Sequence, residues 1–148
     1  MEFYVVNVII ILVALIAASY YDIKRKEVPN KITYPLIIAG FYYSLFPWTV
    51  LNLFVAGAVF AIGYWCNQKG VLGGGDVKLL TGMILFTPPE FFSISFFLNF
   101  FFLSCVCALF YYGMMVLTGK EKLSRGAIIK FAPCIAVGYI VAVASILL

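Results

Sequence analysis

The sequence predicts an all-α integral membrane protein, a bundle of six transmembrane helices with both termini on the extracytoplasmic side. Three observations predict it. Of 148 residues, 65% are hydrophobic and only 11% charged, whereas a soluble domain carries about a quarter charged residues. The mean hydropathy is +1.10. All ten Lys and Arg fall into three clusters separated by long apolar stretches. The length suits a single domain over residues 1–148.

Helices are predicted over residues 3–21, 32–46, 50–66, 77–89, 91–117 and 128–148. The first opens with "MEFYVV", an acid where the basic n-region of a cleaved signal peptide belongs, so it is expected to be retained. It runs into Lys24, Arg25, Lys26 and Lys31. The second is short and stops at the "FPWT" turn, where proline ends a helix. The third is long enough to span and is followed by Lys69 and Lys78. The fourth ends at the "TPPE" turn and has 13 residues, about 20 Å of helix against a hydrocarbon core about 30 Å thick. Length alone would allow a re-entrant segment there. The fifth contains "FFSISFFLNFFFL", expected to be lipid-facing bulk. Lys120, Lys122, Arg125 and Lys130 precede the sixth.

Basic loops stay on the cytoplasmic side during insertion. Six spans, the fourth included, place all three clusters there; five spans would not. Orientation and attraction to anionic headgroups account for the positive charge, so the expected partner is the lipid bilayer and not nucleic acid. Trp48, Trp65 and several tyrosines near helix ends suit an interfacial belt. Cys66, Cys105, Cys107 and Cys134 lie in apolar segments, with no histidine and no CxxC. They are expected to be buried thiols, with no metal site and no cofactor.

Two acids stand out. Asp22 closes the first apolar run and Asp76 opens the fourth, after Gly73-Gly74-Gly75. Helices one and four run in opposite directions, so both carboxylates are expected at one depth on the cytoplasmic side. Glu27 and Glu121 are flanked by lysines and read as counter-charges. A short fourth helix draws Asp76 partly into the membrane, where an acid is a functional suspect. Asp76 is placed as an N-cap, where free N–H groups and the helix dipole favour its ionised form; Asp22 is placed at a helix C-terminus. Two adjacent carboxylates share one proton, the arrangement aspartic proteases use to activate water. Asp76 is expected to be the ionised member. The glycines are expected to take positive φ and to let a substrate backbone approach.

These residues resemble the type IV prepilin peptidases, membrane aspartic peptidases of the GxGD type. The family pattern joins an aspartate followed by Ile/Val-Pro-Asn/Asp to a Gly-x-Gly-Asp-x-Lys stretch. Here Asp22 is followed by Val28-Pro29-Asn30, and Gly73-Gly74-Gly75-Asp76-Val77-Lys78 supplies the second motif. "IKFAPCIAVG" is similar to the family's Pro-Phe-Gly/Ala-Pro approach to the last helix, with Lys130 replacing the first proline and Pro133 matching the second. The resemblance implies that Asp22 and Asp76 are catalytic. It makes Gly73, Gly75, Lys78, Pro29, Asn30 and Pro133 motif-supporting, with no chemical step assigned. It implies removal of a short basic leader from type IV prepilins or prepilin-like subunits at the cytoplasmic membrane face. Larger relatives carry an N-methyltransferase activity and an additional domain with paired cysteines. Only two residues precede the first predicted helix and no CxxC exists, so a peptidase-only form is expected, like those serving tight-adherence (Flp-type) pili. The sequence assigns neither substrate-contact residues nor oligomeric state.

Two rival readings fit part of the pattern. Presenilin and signal-peptide-peptidase proteases also combine Tyr-Asp, here Tyr21-Asp22, with Gly-x-Gly-Asp. Their acids are expected deep within long helices, whereas Lys24 lies two residues from Asp22. A non-enzymatic polytopic protein, such as a small transporter or a pilus assembly component, could use the acids as an ion relay. It would be expected to hold polar groups near the midplane, where these helices offer only scattered Ser, Thr and Asn.

Overall fold

The computed structural model describes residues 2–25, 27–119 and 131–147. Among them are six α-helices and no strand: α1 (Glu2–Arg25), α2 (Asn30–Ser44), α3 (Val50–Gln68), α4 (Gly74–Phe86), α5 (Ile94–Leu117) and α6 (Ala132–Leu147). Single turns of 3-10 helix at Pro47–Thr49 and Pro89–Phe91 follow α2 and α4. Three stretches are long and apolar enough to cross a bilayer: Val5–Arg25, Val50–Gln68 and Ile94–Leu117. By contrast, α2 has 15 residues and α4 has 13.

Helix ends differ from expectation for local reasons. Helix α1 continues past Asp22 to Arg25. Helix α4 begins three residues early, at Gly74, and stops at Phe86 because Pro88 forces Thr87 into an extended conformation (ψ 131°). Helix α5 starts at Ile94, after Ser93 caps it by accepting the Phe96 N–H at 3.1 Å. The predicted sixth-helix start at 128 lies outside the described residues, as do Lys26, Lys120, Glu121, Lys122, Arg125 and Lys130.

Helix α4 is the centre of the molecule. It packs against α2 and α3, while α5 pairs with α6 and α6 closes on α1. Asp76, Val77 and every residue from Leu79 to Phe86 are buried. A helix wrapped by protein need not match the bilayer thickness, provided its ends find hydrogen-bond partners. The far end does. Asn52 Nδ2 donates to the Leu85 and Thr87 carbonyls at 3.2 and 2.7 Å, and Ser44 Oγ donates to Leu85 at 3.0 Å. Asn52 and Ser44 thus satisfy carbonyls that a terminating helix leaves open. Asn52→Leu should leave the Thr87 carbonyl without this donor, with Ser44 still serving Leu85, and cost about 1–3 kcal/mol. A lowered thermal midpoint in detergent would register this loss, and an unchanged midpoint would refute it.

Between helices in lipid, close packing replaces the hydrophobic effect as the cohesive force. A Cβ at Gly40 would lie 2.6 Å from the Leu85 side chain, and one at Gly138 would lie 2.8 Å from the Phe100 carbonyl oxygen. The α2–α4 and α5–α6 contacts therefore need these glycines. The phenylalanine run is not all lipid-facing. Phe96 and Phe100 are buried, stack at 6.1 Å, and meet Tyr139 of α6 edge-on at 6.1 and 6.4 Å. Their four-residue spacing puts both on the α6 face, while Phe101 and Phe102 remain exposed.

Candidate active site

Asp22 sits in the last turn of α1 and Asp76 in the first turn of α4. The antiparallel course of these helices brings both to one end of the bundle. There the carboxylates interact electrostatically, are only 4% and 8% exposed, and line a common cleft of about 1160 Å³. Tyr21, Arg25, Glu27, Val28, Pro29 and Asn30 form one wall and Leu72 to Gly75 another. Cys105, Ala108 and Phe131 also line it.

The immediate partners of the two acids differ from those predicted. Asp22 Oδ2 accepts the Ala132 N–H at 3.1 Å. Ala132 opens α6, and the Phe131 carbonyl accepts the first bond of that helix, from Ile135 N–H at 3.0 Å. Although it ends its own helix, Asp22 therefore lies at the N-terminus of another. Asp76 is not the N-cap of α4; Gly73 is, at φ −68° and ψ 141°. Asp76 is the third residue of the helix and hydrogen-bonds back to the Gly73 backbone, as an acid does in a capping box. Both carboxylates sit at helix N-termini, so the predicted electrostatic contrast between them disappears. Asp76 Oδ1 is buried without a hydrogen-bond partner among the described residues. A buried polar atom in that state lacks the partner that such atoms normally have, and Asp76 shares it with Asn7, Ser19, Thr33, Asn52, Ser104 and Tyr139.

The glycines act through space and not through φ. Among the described residues only Gly70 and Gly119 have positive φ. A Cβ at Gly75 would stand 2.9 Å from the Val28 carbonyl oxygen, and one at Gly73 would stand 2.9 Å from Asp76 Oδ2. At Gly74 the nearest atom would be Asn67 Nδ2, 3.7 Å away. The Gly-x-Gly spacing follows: the outer two positions must lack a side chain and the middle one need not.

Pro29 caps α2, accepting the Ile32 N–H at 3.0 Å, and Asn30 is the first residue of that helix. Lys78 Nζ donates to Asn30 Oδ1 at 2.8 Å and to Tyr34 Oη at 3.4 Å, and lies 4.9 Å from the Tyr34 ring centre. Pro133 does not line the cleft. It follows Ala132 in the first turn of α6, where a proline loses no helical bond. Val28 stood in the first motif without a role, and neither Phe131 nor the Ala132 amide was expected at the site; Pro133 was the available signal that α6 begins there. Cys105 is exposed on the cleft and Cys66 and Cys107 are half-buried, so of the four thiols only Cys134 is buried as expected. Cation–aromatic pairs mark the same end of the bundle: Lys24 with Tyr20, Arg25 with Tyr21 and Lys69 with Trp65, at 5.4, 5.5 and 5.9 Å.

No solved structure matches the chain. Among curated proteins, 101 residues are 38% identical to prepilin peptidase EppA of Methanothermobacter thermautotrophicus (strain Delta H), a stretch that is 61% of this chain and 26% of that protein. The chain thus covers about a quarter of that relative's length. Residues 9–113 match the type IV leader peptidase family. That span contains both aspartates, the α1–α2 connection and the whole of α4, and on its strength the chain belongs to the type IV leader peptidase family.

Proposed function

We propose that this chain is a membrane-embedded aspartic endopeptidase that removes the short basic leader from type IV prepilins or prepilin-like proteins. The observation that carries this reading is the convergence of Asp22 and Asp76, from separate helices and separate motifs, on one cleft. Two carboxylates at close range share a proton. The ionised one accepts a proton from water as the water oxygen attacks the scissile carbonyl carbon. The protonated one polarises the carbonyl oxygen, and collapse of the tetrahedral adduct breaks the C–N bond with a proton delivered to the leaving amine. The Ala132 N–H steadies Asp22, and the unpartnered Asp76 Oδ1 is available to the water or the carbonyl.

In this reading all six helices cross the bilayer, both termini are extracytoplasmic, and the cleft opens on the cytoplasmic side. The basic residues support that orientation. Lys24, Arg25, Lys31, Lys69 and Lys78 lie at the cleft end of their helices, and cytoplasmic ends are the basic ones. The family match favours this reading over a transporter or a presenilin-like protease. Incubating the purified protein with a type IV prepilin and weighing the product tests it. A new N-terminus at the leader boundary is expected. Intact prepilin after exposure to folded protein in lipid would refute the assignment.

A further inference from the structure

We propose that Lys78 is a positioning residue whose bond to Asn30 locks the α1–α2 connection onto the first turn of α4, and thereby fixes Asp22 against Asp76. The inference rests on the peptidase reading for its kinetic consequence but not for its geometry. Asp22 and Asp76 belong to different helices, and nothing in either helix alone sets their separation. The connection from Asp22 to α2 passes through Glu27, Val28 and Pro29. Two contacts pin that connection to α4. Val28 is seated on Gly75, with no room for a side chain between them. Two residues beyond Val28 and three beyond Gly75, Lys78 Nζ reaches Asn30 Oδ1 at 2.8 Å.

The first contact is a steric stop and sets only how close the segments come. The second is a directional bond that resists sliding and rotation. Tyr34, one turn further along α2, holds the ammonium with its hydroxyl at 3.4 Å and its ring at 4.9 Å, so the lysine is anchored on α2. Residues 76 and 78 are two apart, which places them on different faces of α4. Asp76 can therefore face the cleft while Lys78 grips α2. Lys78 is absent from the cleft lining, and its bond to Asn30 acts on the connection that ends at Pro29.

Steady-state kinetics and hydrogen exchange on the full chain in lipid test this together. Lys78→Met keeps the apolar stem and removes the donor. It should lower kcat by about 10- to 100-fold with a much smaller change in KM, the cost of misplacing reacting groups by an ångström or so. Asn30→Ala should do the same, and the double variant should be no worse than either single one, because both break one bond. Asn30→Asp, which keeps the acceptor, should keep the slow amide exchange at Ile32 and Thr33 that Asn30→Ala loses. Amide exchange at Ile32 and Thr33, whose N–H groups bond the Pro29 carbonyl, should accelerate in Lys78→Met while α6 keeps its protection. Multiplicative losses in the double variant, unchanged exchange at Ile32 and Thr33, or exchange rising equally in α6 would each overturn the proposal. A wild-type chain that fails to cut prepilin, with the local exchange change still present in Lys78→Met, would sink the peptidase reading and leave the lock standing.

Discussion

Asp22→Asn and Asp76→Asn are each expected to lower leader cleavage by about 10²–10⁴-fold, the usual contribution of general acid–base groups. Asparagine has nearly the shape of aspartate and retains a carbonyl oxygen. At position 22 that oxygen can still accept the Ala132 N–H, the bond now made at 3.1 Å. At position 76 it can still reach the Gly73 backbone, which the carboxylate contacts. The fold should survive both changes, so the loss reports chemistry. The proposed mechanism has the acids work as a unit on one water, so the double variant should fall little below the single ones. The measurement is kcat/KM on a prepilin, beside a melting curve in the same detergent. Retained cleavage by either folded variant would remove the dyad from the mechanism.

Gly75→Ala is expected to damage both packing and the placement of Asp76. The new methyl would meet the Val28 carbonyl oxygen at 2.9 Å, its Cβ at 3.0 Å and its nitrogen at 3.3 Å. Two of these atoms are backbone, in a connection held at both ends by helices, so no rotamer change relieves the clash. Overpacking of this kind costs about 1–3 kcal/mol, and pushing Asp76 outward by an ångström costs about 100-fold in rate. Gly74→Ala is the matched comparison. Its nearest contact is 3.7 Å away, and replacing a helical glycine by alanine gains about 0.5–1 kcal/mol. A thermal midpoint falling for position 75 and holding or rising for position 74 is the expected pattern. Equal effects would show that the close approach to Val28 is not what position 75 requires.

Much of the site was legible in the sequence because its signals are local. Asp22 and Asp76 are acids at the edges of apolar segments, and the order of the helices brings them to one end of the bundle. What stayed hidden depended on contacts between distant parts of the chain. The Ala132 amide that holds Asp22 is a backbone donor, which no residue type announces; Pro133 marked only the helix start. Asn52 and Ser44 looked like scattered polar residues because the carbonyls they serve lie 33 and 41 residues away. The triple glycine suggested a loop of unusual φ, yet two of its members are helical and the third is an extended cap. Their role is clearance for Val28 and for the Asp76 carboxylate, a requirement visible only once α2 lies against α4. The phenylalanine run misled for a similar reason: a uniformly apolar helix carries no stripe to say which side meets α6.

The bond from Asp22 to Ala132 joins residues 110 positions apart, and that span has a consequence for biogenesis. Both acids and both glycine contacts emerge from the ribosome well before α6 does. A nascent chain halted before that point would carry the whole dyad yet lack the amide that orients one half of it. On the peptidase reading, leader cleavage is therefore expected only after the final helix has been made, because Asp22 Oδ2 waits for the Ala132 N–H until then.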